Sequence, residues 1–112
     1  MATAVVKLLD HLRSSGGLQG KDIANIVDVS PATVSRWSSG QATPSIELQQ
    51  IISDLRYVVD RLSDFYDADE TRLWLHARHP LLNNERPIDL INSDCTADVL
   101  AVIDRINEGA YI

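Results

Sequence analysis

The chain has 112 residues, 45% of them apolar and 23% charged, with a net charge of −6 and a single cysteine. That length suits one domain, or a small domain with an appended subdomain, and the composition suits a packed globule. No apolar run approaches the ~20 residues of a membrane span. The amino terminus lacks the basic region of a signal peptide, and Cys95 alone excludes an intrachain disulfide, so a cytoplasmic protein is expected.

Thr3 is placed to cap a first helix over residues 4–15, buried through Val5, Val6, Leu8, Leu9 and Leu12 and ended by Ser14-Ser15-Gly16-Gly17. A second short helix follows, with Ile23, Ala24 and Val27 inward, ending at Asp28. Val29 covers the turn, Ser30 can cap a third helix, and Pro31 suits its first position because the missing N–H is harmless there. Val34 and Trp37 are three apart and bury together, and Gly40 ends the helix. Two short helices joined by a tight turn over one core form a helix-turn-helix. Position 28 departs from the usual pattern: such turns want left-handed backbone and hence glycine, a conformation Asp28 tolerates at some cost.

Thr43-Pro44-Ser45 breaks the chain and starts a long helix, expected over residues 45–66. Leu48, Ile52, Leu55, Val59, Leu62 and Tyr66 alternate steps of four and three, and Ile51, Val58 and Phe65 widen the stripe to a globular core face. This helix is read as a spine joining two halves, with part of its stripe available to a dimer. Asp67-Ala68-Asp69-Glu70 starts the next helix, which carries Leu73 and Trp74 and stops at His79-Pro80. Leu81-Leu82-Asn83-Asn84 forms a turn, and Arg86-Pro87 begins a short helix with Ile88, Leu90 and Ile91 inward. Asn92, Ser93 or Asp94 is expected to cap the last helix, buried through Val99, Val102, Ile103 and Ile106 with Leu100 nearby and ended by Gly109. No strand pattern or repeat appears. The fold class is all-α, with a helix-turn-helix subdomain at 1–44 and a second helical subdomain at 45–112 that includes the linking helix.

Residues at the start of the second helix of the motif reach base edges in the major groove. The DNA-contacting candidates are Ser30, Ala32, Thr33, Ser35 and Arg36, with Ser39 and Gln41 near the backbone and Lys21 on a phosphate. Arg36 is the strong guanine reader among them. The plainer alternative is a helical hairpin that serves packing alone. Residues 1–44 carry four basic and three acidic side chains, +1, against six basic and thirteen acidic in 45–112, −7. Affinity for DNA scales with neutralised phosphates, so the first half needs a dimer or larger assembly to bind well, and the acidic half suits a protein partner.

His76 and His79 invite a metal reading, but no fourth ligand stands at metal spacing; two solvated histidines at a helix end are the expectation. Asp67, Asp69 and Glu70 lack the alternating ligands and glycine of a calcium loop. Without a nucleophile–base pair or a glycine-rich phosphate loop, neither an enzyme nor a cofactor is expected. Trp74 reads first as a core residue and second as an interface anchor. Tyr111, beyond a glycine, has little reason to bury in its own domain, and a tail reaching into a partner is the sharper reading.

Four stretches of the second half, in this order and spacing, resemble the Xre/ParS/MbcA antitoxins. They are Arg72-Leu73-Trp74-Leu75, His79-Pro80-Leu81-Leu82, Arg86-Pro87-Ile88-Asp89-Leu90-Ile91, and the helix from Val99 that ends in Gly109-Ala110-Tyr111. The likeness covers roughly residues 18–112, with Leu81, Asn83 and Asn84 departing from the family's turn. The resemblance implies a type II antitoxin paired with a RES-domain toxin that destroys NAD by hydrolysis or phosphorolysis. It implies a plug of Glu108, Gly109, Ala110, Tyr111 and Ile112 over the toxin's NAD pocket, with Trp74, Arg78 and Pro80 as further contacts. Autorepression through operator DNA follows, by a homodimer within a larger complex. The alternative is a stand-alone helix-turn-helix regulator whose second half only dimerises.

Overall fold

The computed structural model describes residues 3–109 and folds them into seven α-helices. They are α1 (Thr3–Gly16), α2 (Gly20–Val27), α3 (Pro31–Ser38), α4 (Ile46–Leu62), α5 (Ala68–His76), α6 (Pro87–Asn92) and α7 (Thr96–Asn107), with a 3-10 turn at Pro80–Leu82. Among the described residues the nearest thing to a strand is an isolated bridge between His79 and Glu85. No helix among them is long and apolar enough to cross a membrane.

One apolar cluster runs from Val5 of α1 to Ile103 of α7. At its centre, α4 buries Ile52, Leu55, Val58, Val59 and Leu62, and it packs against α1, α2, α6 and α7. Each such side chain contributes about 1.5–3 kcal/mol when removed from water. Leu9, Leu12, Ile23, Val34, Trp37, Ile88, Ile91 and Val99 bury as their periodicity predicts, while Val6, Leu8, Leu48, Ile51 and Ile106 sit half-buried at its margin. Ile26 and Leu75 are buried as well, although their sequence positions did not mark them as core.

Two expected boundaries differ from the structure. The long helix ends at Leu62, not near Tyr66. Asp67 caps α5 through its side chain and needs extended backbone, so the chain must leave the helix before it; the N–H groups of Phe65 and Tyr66 close on the Leu62 carbonyl instead. Phe65 is consequently exposed and Tyr66 half-buried. At the last helix, neither Asn92, Ser93 nor Asp94 is the cap; Cys95 holds that position without a side-chain hydrogen bond. The three residues are used up in ending α6. Asp94 turns left-handed at φ +64, its N–H reaches the Ile91 carbonyl, and the Cys95 N–H reaches that of Leu90 at 2.7 Å, the Schellman closure.

The link between α1 and α2 passes tightly over α5. Gly17 has φ +64, and a Cβ there would stand 2.7 Å from the Ala68 carbonyl oxygen. Gly40, the stop of α3, has φ +80 with nothing within 4 Å of its would-be Cβ. Replacement by alanine costs about 1 kcal/mol at either site for the left-handed backbone alone. Gly17→Ala is expected to lose about 1–2 kcal/mol more than Gly40→Ala in thermal or urea unfolding, because Ala68 or α1 must shift. Equal losses would show that this close approach carries no constraint.

Candidate functional site

The first candidate surface is built by the turn between α2 and α3. Asp28 takes the left-handed conformation that the turn requires, with φ 60° and ψ 50°. The Val29 N–H bonds the Ala24 carbonyl at 2.9 Å. Ser30 caps α3 by accepting the Thr33 N–H at 3.2 Å, and Pro31 follows at the first turn. Buried Val34 and Trp37 then fix the rotation of α3, leaving Ala32, Ser35, Arg36 and Ser39 on one exposed face. Thr33 is half-buried beside that face; its Oγ1 accepts from Arg36 Nη2 at 3.1 Å and meets Ser30 Oγ at 2.9 Å. The guanidinium is thereby held along the helix. Lys21 stands exposed in the first turn of α2, and Gln41 follows α3, its N–H on the Arg36 carbonyl.

The second surface lies on α5 and the loop after it. Asp67 and Glu70 form a reciprocal capping box, Glu70 N–H to Asp67 Oδ1 at 2.8 Å and Asp67 N–H to Glu70 Oε1 at 3.0 Å. α5 buries Thr71 and Leu75 and turns Leu73 outward, 66% exposed. Trp74 is half-buried, packed against the margin of the core with one side left toward the surface. Its ring lies 4.6 Å from that of His79 at an interplanar angle of 37°, and His79 Nε2 meets the Trp74 carbonyl at 2.9 Å. Arg78 Nη1 donates to the Asn84 carbonyl, the Asn84 N–H to the His79 carbonyl, and Asn83 and Asn84 both turn left-handed. Pro80 is exposed on this loop, whose 3-10 turn packs against α7. Glu108 and Gly109 are exposed at the end of α7, with Gly109 at φ +81. Ala110, Tyr111 and Ile112 lie outside the described residues. The sequence reading overlooked exposed Leu73 and Leu81; an apolar residue out of phase with its buried neighbours was the available signal.

A buried carboxylate joins the two regions. Asp22, 4% exposed, accepts Arg72 Nε at 3.1 Å on one oxygen and Arg72 Nη2 at 3.0 Å on the other. It also accepts the Gln19 N–H at 2.9 Å, and His76 Nε2 stands 3.6 Å away. Arg72 and His76 are four apart and so share one face of α5. Burial pushes the Asp22 carboxyl upward, but the Arg72 hydrogen bond, the Gln19 N–H and the charges of Arg72 and His76 outweigh it and hold it below the ordinary value. The two histidines are therefore not solvated at a helix end. His76 bonds the Arg72 carbonyl through Nδ1, and His79 backs Trp74. Among the described residues no three His, Cys, Asp or Glu side chains are grouped to hold a metal.

Residues 64–109 match the model of the antitoxin Xre/MbcA/ParS C-terminal toxin-binding domain. The mycobacterial cidal antitoxin MbcA of Mycobacterium tuberculosis is 34% identical over 96 residues, 86% of this chain and 85% of that protein. A probable mycobacterial cidal antitoxin of the same organism is 32% identical over 111 residues, 99% of this chain and 94% of its own length. The crystal structure of the M. tuberculosis MbcT–MbcA toxin–antitoxin complex contains a chain that superposes with a TM-score of 0.80 at 32% identity, covering 99% of this chain and 96% of that one.

The Asp22 geometry fixes an acid response. Its folded carboxyl binds a proton more weakly than the unfolded one, so the stability it adds is present above about pH 4 and is lost as pH falls through the lower folded value. Asp22→Asn should lower neutral-pH stability by about 2 kcal/mol. That is less than for a fully enclosed pair, because the Arg72 side chain is 37% exposed and can turn to water. The variant should also flatten the acid limb of stability against pH, measured by urea unfolding between neutral and acid pH. An unchanged acid limb would place the sensitivity in other carboxylates.

Proposed function

This chain belongs to the Xre/MbcA/ParS antitoxin family, and on that premise we propose that it neutralises a RES-domain, NAD-degrading toxin by covering the toxin's active site with its carboxy-terminal segment. The family is one of antitoxins, which act by binding rather than by catalysis. The observation that carries the reading is the match of residues 64–109 to a toxin-binding domain in a chain that resembles MbcA over nearly its whole length. The segment from Glu108 to Ile112 is the plug. Glu108 and Gly109 stand clear of the core, and the left-handed Gly109 redirects the chain as it leaves α7. Trp74, Arg78 and Pro80 form a secondary contact on a platform already held by its own hydrogen bonds, which lowers the ordering cost of docking.

The helix-turn-helix supports a second role, repression of the chain's own operon. The Asp28 turn is formed, and Ser30, Ala32, Thr33, Ser35 and Arg36 lie together on α3. A homodimer would supply two half-sites and double the thin positive charge, with Lys21 and Gln41 on flanking phosphates.

Deletion of residues 109–112 removes no buried side chain among those described and should leave thermal stability unchanged. Co-expressed with a RES-domain toxin that the full chain neutralises, the shortened chain should fail to rescue growth, and cellular NAD should fall. Full protection by the shortened chain would refute the plug. For the second role, Arg36→Ala should weaken binding to upstream DNA of the operon roughly 10- to 100-fold in a mobility-shift titration. A chain that binds this DNA specifically but engages no toxin would be a stand-alone regulator instead.

A further inference from the structure

Between the 3-10 turn and α7 lies a groove of about 330 Å³ that neither the plug nor the Trp74 platform uses. Leu82, Leu90 and Val102 form its floor, each less than a tenth exposed. Leu81, 40% exposed, and Ala101 form its walls. Glu85 and Asp98 stand at the rim with Arg105, and none of the three is in an ion pair among the described residues. Asp98 and Arg105 are two turns apart on α7, about 10 Å, room for one bulky side chain and its chain neighbour.

We propose that this groove is a second docking point for the toxin, receiving a bulky apolar side chain followed by a lysine or arginine. The proposal rests on the toxin-binding reading above and adds a site to it. Every lining residue falls within residues 64–109, the stretch that matches a toxin-binding domain. An apolar floor under a charged rim is the setting in which a single desolvated anchor dominates an interface. Glu85 and Asp98 outnumber Arg105 at the rim, so its net charge favours a cation beside that anchor. A second copy of this chain fits less well. Residues 64–109 carry ten acidic and four basic side chains, −6, so two such surfaces oppose each other.

The test uses the full chain and a RES-domain toxin, with affinity and association rate read by biolayer interferometry. Ala101 is exposed, so Ala101→Trp fills the groove without disturbing the core. It should weaken toxin binding at least tenfold while the circular dichroism spectrum and Tm stay those of the parent. The double variant Glu85→Gln/Asp98→Asn should slow association severalfold and reduce its salt dependence. Ser53→Trp, at an exposed position of α4 outside the groove, should bind as the parent does. Binding by Ala101→Trp within twofold of the parent overturns the groove even if removal of residues 109–112 abolishes inhibition. A change in sedimentation of the Ala101→Trp chain alone overturns it in favour of self-association. If the parent chain does not bind this protein at all, the toxin-binding reading itself fails.

Discussion

The contact between Asp22 and Arg72 ties the molecule together. A carboxylate with almost no exposure must be paired, since an uncompensated buried charge is among the costliest faults a fold can carry. Asp22 lies in the first turn of α2 and Arg72 on α5, fifty residues on. Both oxygens are engaged by the planar guanidinium fork, so the contact fixes orientation as well as distance. Two further contacts tie α2 and the link before it to later helices. Asn92 donates its side-chain amide to the Ile26 carbonyl at the end of α2, and Gly17 passes against the Ala68 carbonyl at the start of α5. Apolar burial around α4 supplies most of the stability, but it is non-directional; the Asp22–Arg72 pair sets how α5, packed against α1 and α6, is turned toward α2.

That placement decides what each helix can offer a partner. With Thr71, Leu75 and the Arg72–His76 edge turned inward, α5 leaves Leu73 exposed and Trp74 half-covered beside the loop that carries Arg78 and Pro80. The loop is not loose. His79 is bonded on both sides, by Trp74 above and by the backbone of residues 82, 84 and 85 below. Helix α3 is similarly fixed, by Val34 and Trp37 beneath it and by the Ser30–Thr33–Arg36 chain along it. The two surfaces have opposite electrostatic character. One rests on a handful of cations, and the other on a strongly acidic stretch. An acidic stretch repels phosphate backbones and attracts a basic protein face, so the two surfaces suit partners of opposite charge.

Much of this was legible in the residues. Helix positions followed from the 3.6 periodicity, and the turns from Asp28, Gly40, Pro80 and Asn83, because those signals act within a few residues of where they are written. Boundaries failed where one local demand overrode another. Tyr66 keeps the helical phase of α4 but yields to the extended backbone that Asp67 needs, and Asp94 closes α6 instead of opening α7. Trp74 reads as core because aromatic area usually buries, and it does pack against the core, but only half-buried, while its neighbour Leu75 is fully enclosed. A one-residue rotation of a short helix is weakly specified when apolar residues occupy three successive positions, as in Leu73-Trp74-Leu75.

By itself the sequence determined an all-α chain, a helix-turn-helix with a left-handed aspartate in its turn, a thin positive charge on one half and an acidic other half. Its ordered motifs also determined the family resemblance. Tertiary structure alone decided that Asp22, a surface charge by composition, is the buried partner of Arg72 and His76. It also decided that Leu81, Leu82, Leu90, Ala101 and Val102 enclose a groove rimmed by Glu85, Asp98 and Arg105. The reason is one of range. Periodicity, caps and turns are encoded in dihedral preferences a few residues apart, whereas a pair fifty residues apart in the chain exists only once packing has brought its elements together.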